Sequence, residues 1–378
     1  MIAFETMQKY YRERCLAARE WKRKGGRVVA YFGNEVPEEL ILAAELFPLR
    51  ITGNPLSGGE LADRYMEYYF DVQVRSMYNE ILKGVYDFAD MIIIPHSSDS
   101  VLRLYYWLWE EKRINEAMPF VRPYLFDKPH TVTRGAGLYM LNRVRALKQR
   151  LEQFTGLEIS SESLLQAIAL TNENRMLLRK VADLRTATPP RISGTEALQI
   201  IGASLFMQKE EHNKLLRQFL QEAEQLPANG DSKVRLFISG STVDNLQFYE
   251  LVEFCNAVII AEDVDTGNRY FDGLIDKSLD PLEAIANRYW LLPSPQTVPM
   301  AIYSSYVLEK IKSVRPQGVI FNYLQWDDAP AWHYPDLKSE LDKMGIPHLV
   351  FEFQEYLLAA PQRLKTRIEA FIESIGDR

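Results

Sequence analysis

Two cysteines in 378 residues, Cys15 and Cys255, set the first limit on what this chain can do. They are too few and too far apart for a disulfide framework, a zinc site or the thiolate set of an iron–sulfur cluster. Both read as small apolar residues, Cys15 on an N-terminal helix and Cys255 inside a helix. Basic residues are also in deficit. With 44 Lys and Arg against 51 Asp and Glu the net charge is -7, the wrong sign for displacing counterions from nucleic acid, and the run Lys22-Arg23-Lys24 is only a solvated helix end. No apolar run is long enough to span a bilayer. The opening MIAFETMQKYYRERC lacks a charged region followed by an apolar core, so a cytoplasmic protein is expected, with neither membrane nor nucleic acid as partner. No GxxxxGK[ST] or GxGxxG is present to cradle phosphates. The histidines at 96, 130, 212, 333 and 348 show no HxxxH or HxH spacing for a metal.

What is present belongs to an ordinary globular protein: 47% hydrophobic, 25% charged and 12% aromatic residues. The length suits two domains. Short β-branched runs alternate with longer helical patterns, as in parallel sheets with crossover helices. The runs are RVVAYF (27–32), PLRIT (48–52), MIIIP (91–95) and PYLF (123–126), then VRLFIS (234–239), AVIIA (257–261), GVIFNYL (318–324) and HLVFEF (348–353). Each half therefore carries four predicted strands. From Leu138 to Gln225 the pattern is helical, broken at Thr155-Gly156, Thr188-Pro189-Pro190 and Ser193-Gly194. The expected fold is two flavodoxin-like α/β domains, 1–188 and 189–378, joined by a helical region with the junction near Pro189-Pro190. PANGDS (227–232) reads as a polar turn leading into the second sheet.

Open parallel sheets bind ligands beyond the carboxyl ends of their strands, so the segments there carry the chemical information. Gly33-Asn34-Glu35-Val36-Pro37-Glu38-Glu39 follows the first strand, with Pro37 and two early acids suited to the first turn of a helix. His96-Ser97-Ser98-Asp99-Ser100 follows MIIIP. Ser98 or Asp99 would cap the next helix, and a Ser–His hydrolase pair is disfavoured because adjacent turn residues seldom face one another. Gly240-Ser241-Thr242, Glu262-Asp263-Val264-Asp265-Thr266-Gly267-Asn268-Arg269 and Gln325-Trp326-Asp327-Asp328 end three strands of the second half. Acids at 99, 263, 265, 327 and 328 could converge on a divalent cation, although such acids more often cap helices.

These strand-end segments resemble one family, the subunits of 2-hydroxyacyl-CoA dehydratases and benzoyl-CoA reductases, and specifically the smaller, beta-type subunit. The matching stretches are GRVVAYFGNEVPEELILAAELFPLRITG (26–53), LKGVYDFADMIIIPHSSDSVLRL (82–104), LTNENR (170–175), EDVDTGNRYF (262–271), DPLEAIANRYW (280–290) and GVIFNYLQWDDAPAWHYPDLKSELDKMGIPHLVFE (318–352). They run in order along nearly the whole chain. In that family a cluster-bearing subunit uses three cysteines, whose positions fall here on Asp71, Ser98 and Asp327. A further cysteine common among relatives falls on Asp265. Oxygen ligands in place of thiolates remove affinity for an iron–sulfur cluster.

The resemblance therefore implies a cluster-free subunit of an acyl-CoA dehydratase or reductase complex. It implies a heterodimer with a homologous cysteine-bearing subunit that holds the 4Fe-4S cluster, an ATP-dependent activator, and a CoA thioester as substrate, this chain giving the dimer face and part of the cleft. The alternative reading is a non-redox paralogue, a homodimer among its forms, that binds a divalent metal or small ligand through strand-end carboxylates or serves as an assembly protein. Glu38, Ser98 and Asp99 are the candidate catalytic residues by position, and Asp265 and Arg269 the candidate substrate-binding ones. Arg269 suits a phosphate or carboxylate, or equally a structural ion pair. The aromatics Tyr65, Tyr68-Tyr69-Phe70 and Tyr105–Trp109 fit a subunit interface or a core.

Overall fold

A computed structural model describes residues 1–57, 59–223, 233–358 and 360–376. The expected polar turn at 227–232 lies outside the described residues. Eight strands form: β1 Val28–Tyr31, β2 Phe47–Arg50, β3 Met91–Pro95, β4 Pro123–Phe126, β5 Val234–Gly240, β6 Ala257–Asp263, β7 Gly318–Leu324 and β8 His348–Gln354. They pair in parallel as two four-stranded sheets, ordered β2-β1-β3-β4 and β6-β5-β7-β8. This is the two-sheet α/β architecture expected from the alternating pattern. The strands β1, β3, β6 and β7 are buried at every position, because crossover helices cover both faces. That double burial is why they read as continuous apolar runs.

The intervening helical region is built from Arg134–Thr155, Ser161–Thr186, Gly194–Ala203 and Lys209–Ala223. Its breaks have local causes. Gly156 closes the first helix in a left-handed conformation, with φ 76°, and Ser193 opens the third through a reciprocal capping box with Glu196. The N-terminal helix Ile2–Arg12 packs on the third and fourth of these helices. A single apolar cluster, including Met7, Tyr11, Ile92, Leu198, Phe219 and Ile259, therefore runs from one sheet to the other.

Two features put the carboxyl ends of the two sheets face to face. The Asn34 side-chain amide donates to the Asp265 carbonyl at 2.6 Å. The Val72 amide donates to the Gln325 carbonyl at 3.4 Å. Further back, the Tyr11 hydroxyl donates to the Asp244 carbonyl at 2.8 Å, and the buried Asp244 carboxylate accepts from Tyr356 at 2.8 and 2.9 Å. Among the described residues, no helix is long and apolar enough to cross a membrane.

Candidate functional site

The facing strand ends enclose a polar cleft of about 90 Å³, room for a few water molecules and too small for a whole thioester. Its floor depends on Gly240, the last residue of β5, at φ 124°. A Cβ there would stand 2.3 Å from the Asn322 carbonyl oxygen of β7, so the close strand approach requires glycine. Asp71, Ser98, Asp265, Arg269 and Asp327 all line the cleft. They come from separate strand ends and loops of both halves, so sequence position alone could not establish that they meet.

Each has a local role that fixes its side chain. Asp71 caps the helix Val72–Leu82, accepting from the amides of Gln73 at 2.9 Å and Val74 at 3.1 Å. Ser98 caps Asp99–Ile114 through the Val101 amide at 3.1 Å. Asp327 accepts from the Gln296 amide at 2.8 Å. Asp265 forms an ion pair with Arg50 and accepts from the Thr242 hydroxyl at 2.5 Å. Arg50 also donates to Asn34 at 2.8 Å. Arg269 pairs with Asp263 at 3.3 Å.

The acids of the cleft separate into two electrostatic classes. Burial pushes Asp265 up, but the Arg50 and Arg269 guanidiniums outweigh it and hold the carboxyl below its ordinary range. Asp327 goes the other way, to about 7, raised by burial and then by Asp71, with hydrogen bonds from Ser241 and Gln296 opposing. Burial likewise raises Asp71 against its two capping amides, with Asp328 adding to the rise. The cleft thus combines a fixed anion with a carboxyl pair that retains a proton near neutrality.

Glu38 and Asp99 are placed elsewhere. Glu38 lies in the buried helix Glu38–Ala43, accepts from Tyr270 at 2.9 Å, and stands 3.0 Å from Lys209 and 3.5 Å from Arg175. It belongs to a buried charge cluster outside the cleft, with Glu39 bound by Arg175 at 2.6 Å and Tyr289 at 2.8 Å. Asp99 is exposed on the first turn of its helix. His96 pairs through Nδ1 with Asp127 at 2.9 Å while Ser98 Oγ accepts the Val101 amide, and among the described residues the two side chains share no hydrogen bond as a Ser–His nucleophile would. The five acids 99, 263, 265, 327 and 328 do not converge, and among the described residues no three or more His, Cys, Asp or Glu side chains group to hold a metal ion. Both cysteines sit just off their expected helices, Cys15 in a turn before Leu16–Arg23 and Cys255 at the end of Gln247–Phe254. Arg50, Thr242 and Gln296 were not among the candidates expected from sequence. Only Arg50 carried a signal, as a charge inside an apolar strand run.

Comparison with known proteins fits this arrangement. The family model described as 2-hydroxyglutaryl-CoA dehydratase, D-component, matches residues 34–375. The chain belongs to this family. Among similar relatives, the (R)-phenyllactyl-CoA dehydratase beta subunit of Clostridium sporogenes is 23% identical over 94% of this chain and 93% of its own length. A benzoyl-CoA reductase subunit of Thauera aromatica is 27% identical over 90% and 89%. The (R)-2-hydroxyglutaryl-CoA dehydratase beta subunit of Acidaminococcus fermentans is 26% identical over 94% of both chains.

An iron–sulfur cluster of the dehydratase family does not fit the residues present. Asp71 and Ser98 direct their oxygens at helix amides, Asp327 takes the Gln296 amide, and none offers the thiolate that such clusters require.

Proposed function

We propose that this chain is a cluster-free subunit of a 2-hydroxyacyl-CoA dehydratase or benzoyl-CoA reductase-type complex, giving a subunit face and part of the cleft that receives an acyl-CoA. The observation that supports this reading is the convergence of Asp71, Ser98 and Asp327 on a single cleft, three positions that the family resemblance assigns to cluster cysteines. Descent from a cluster-bearing subunit explains why residues from three distant segments line one chamber. A homologous cysteine-bearing subunit supplies the redox group, and an ATP-dependent activator delivers its electrons.

In this division of labour the cleft handles protons and charge. Removing a hydroxyl group as water consumes a proton, and the Asp71–Asp327 pair, raised to about 6 and about 7, exchanges one close to neutral pH. Asp265, fixed as an anion by Arg50, sets the field in which Arg269 meets an anionic or carbonyl oxygen. Ser98 contributes a hydroxyl at the cleft wall.

The test is metal and sulfide analysis of the chain alone and with its co-purifying partner. Iron in the complex with none in the isolated chain is the expected result. A stable homodimer without iron or acyl-CoA affinity overturns the proposal.

A further inference from the structure

Behind the cleft, the helix Pro281–Trp290 carries Arg288 into the wall of a second, larger groove of about 1010 Å³. Arg288 has an unusual electrostatic position. One terminal nitrogen donates to the carbonyls of Tyr270 at 3.0 Å and Asp272 at 3.4 Å, while its buried Nε has no hydrogen-bond partner. Among the described residues, no carboxylate lies within ion-pairing distance of it. On its inner side stands the charge cluster of Glu38, Glu39, Arg175 and Lys209, where two carboxylates already face two cations. Arg288 adds a third cation to these two carboxylates, which offset its charge only in part and from beyond ion-pairing distance. Burial, followed by the Arg175 charge, pushes its pKa down, as expected for a guanidinium short of counter-charge.

The other side of Arg288 opens on the groove, whose wall includes Phe271, Leu274, Leu279 and Leu291. Its volume lies at the upper end of the roughly 300–1,000 Å³ typical of small-molecule sites. A half-buried guanidinium with two carbonyl partners but no paired counter-ion retains part of its desolvation cost, and a ligand anion at this point would relieve it while its apolar body covered the leucines. Acids at the rim narrow the choice further. Asp183, Asp276 and Glu309 line the groove with Arg179, and Lys310 is paired with Asp272, so the wall around Arg288 offers no basic cluster for a polyanion.

From this we infer that the groove beside Arg288 is a binding site for a small apolar monocarboxylate, its carboxylate on the guanidinium and its hydrocarbon against the leucine wall. The site is separate from the strand-end cleft and stands whether or not that cleft receives an acyl-CoA.

Isothermal titration of the full chain with benzoate and hexanoate, against benzamide, hexanamide and CoA, tests it. Both carboxylates should bind at least tenfold more tightly than their amides. Arg288→Met should abolish the difference and Arg288→Lys restore part of it. Leu279→Trp, at a side chain 38% exposed and so without risk to folding, should block the groove and weaken acid and amide alike. Equal affinity for acid and amide, unchanged benzoate binding in Leu279→Trp, no carboxylate binding at millimolar concentration, or Arg288-dependent binding of CoA in preference to benzoate would each overturn the inference.

Discussion

Replacing Asp327 with asparagine should stabilise this protein at pH 8 and leave it unchanged near pH 4. The folded-state pKa of Asp327 is raised from 3.8 to about 7, so the folded protein holds a proton that the unfolded chain has released across that interval. Stability is therefore full below about pH 4 and falls as pH climbs toward 7. Moving a carboxyl that far corresponds to roughly 4 kcal/mol in a sealed site. Asp327 borders an open cleft, and solvent screening reduces this to about 1–2 kcal/mol. Asparagine mimics the protonated acid and keeps the acceptor for Gln296, so Asp327→Asn should recover that amount at pH 8. Asp71→Asn, which preserves the cap, should give a smaller gain. The double variant should fall short of the sum, because removing one charge relieves the other. Urea denaturation at pH 4, 6 and 8 measures all of this. Equal destabilisation by Asp327→Asn at every pH, or a stability difference between variant and wild type that does not grow between pH 5 and 8, would refute the electrostatic reading of the cleft.

Arg50→Met takes the ion-pair partner from Asp265 and leaves it only the more distant Arg269 charge, and should cost about 2–3 kcal/mol in denaturant titrations, below the full penalty of an unpaired buried charge. The Arg50→Met/Asp265→Leu double variant should regain much of that loss. Burial pushes the Cys15 thiol up to about 11, against the opposing charges of Arg19 and Arg14. Iodoacetamide should thus alkylate Cys15 at pH 8 roughly a hundredfold more slowly in the folded protein than in urea, as read by mass spectrometry. Ser193→Ala removes one arm of a capping box and should cost about 1 kcal/mol, visible as a lower urea midpoint.

The sheets were legible because their signal is local. Runs such as MIIIP and GVIFNYL are apolar at nearly every position because both sheet faces are covered, and all eight strands form where the runs lie. The strand-end rule and the family resemblance also directed attention to Asp71, Ser98, Asp265, Arg269 and Asp327, which share one cleft. Glu38 shows where that rule stops. It follows a strand end like the others, yet the turn into its helix swings the carboxylate toward Lys209 and Tyr270, far along the chain. No local pattern encodes such a partner. Arg50 escaped notice for the related reason that its importance lies in Asp265, across the cleft between the two sheets. Arg288 could be read in the sequence only as one charge on an amphipathic helix, since its lack of a counter-ion is a property of the assembled fold.

The proposal rests on oxygen side chains occupying the three positions that the family resemblance assigns to cluster thiolates. Anaerobic reconstitution of the isolated chain with iron and sulfide, followed by metal and acid-labile sulfide analysis, measures this directly. The native sequence should retain only background iron, and the Asp71→Cys/Ser98→Cys/Asp327→Cys chain should take up a cluster. A stoichiometric cluster held by the native chain alone would contradict the account.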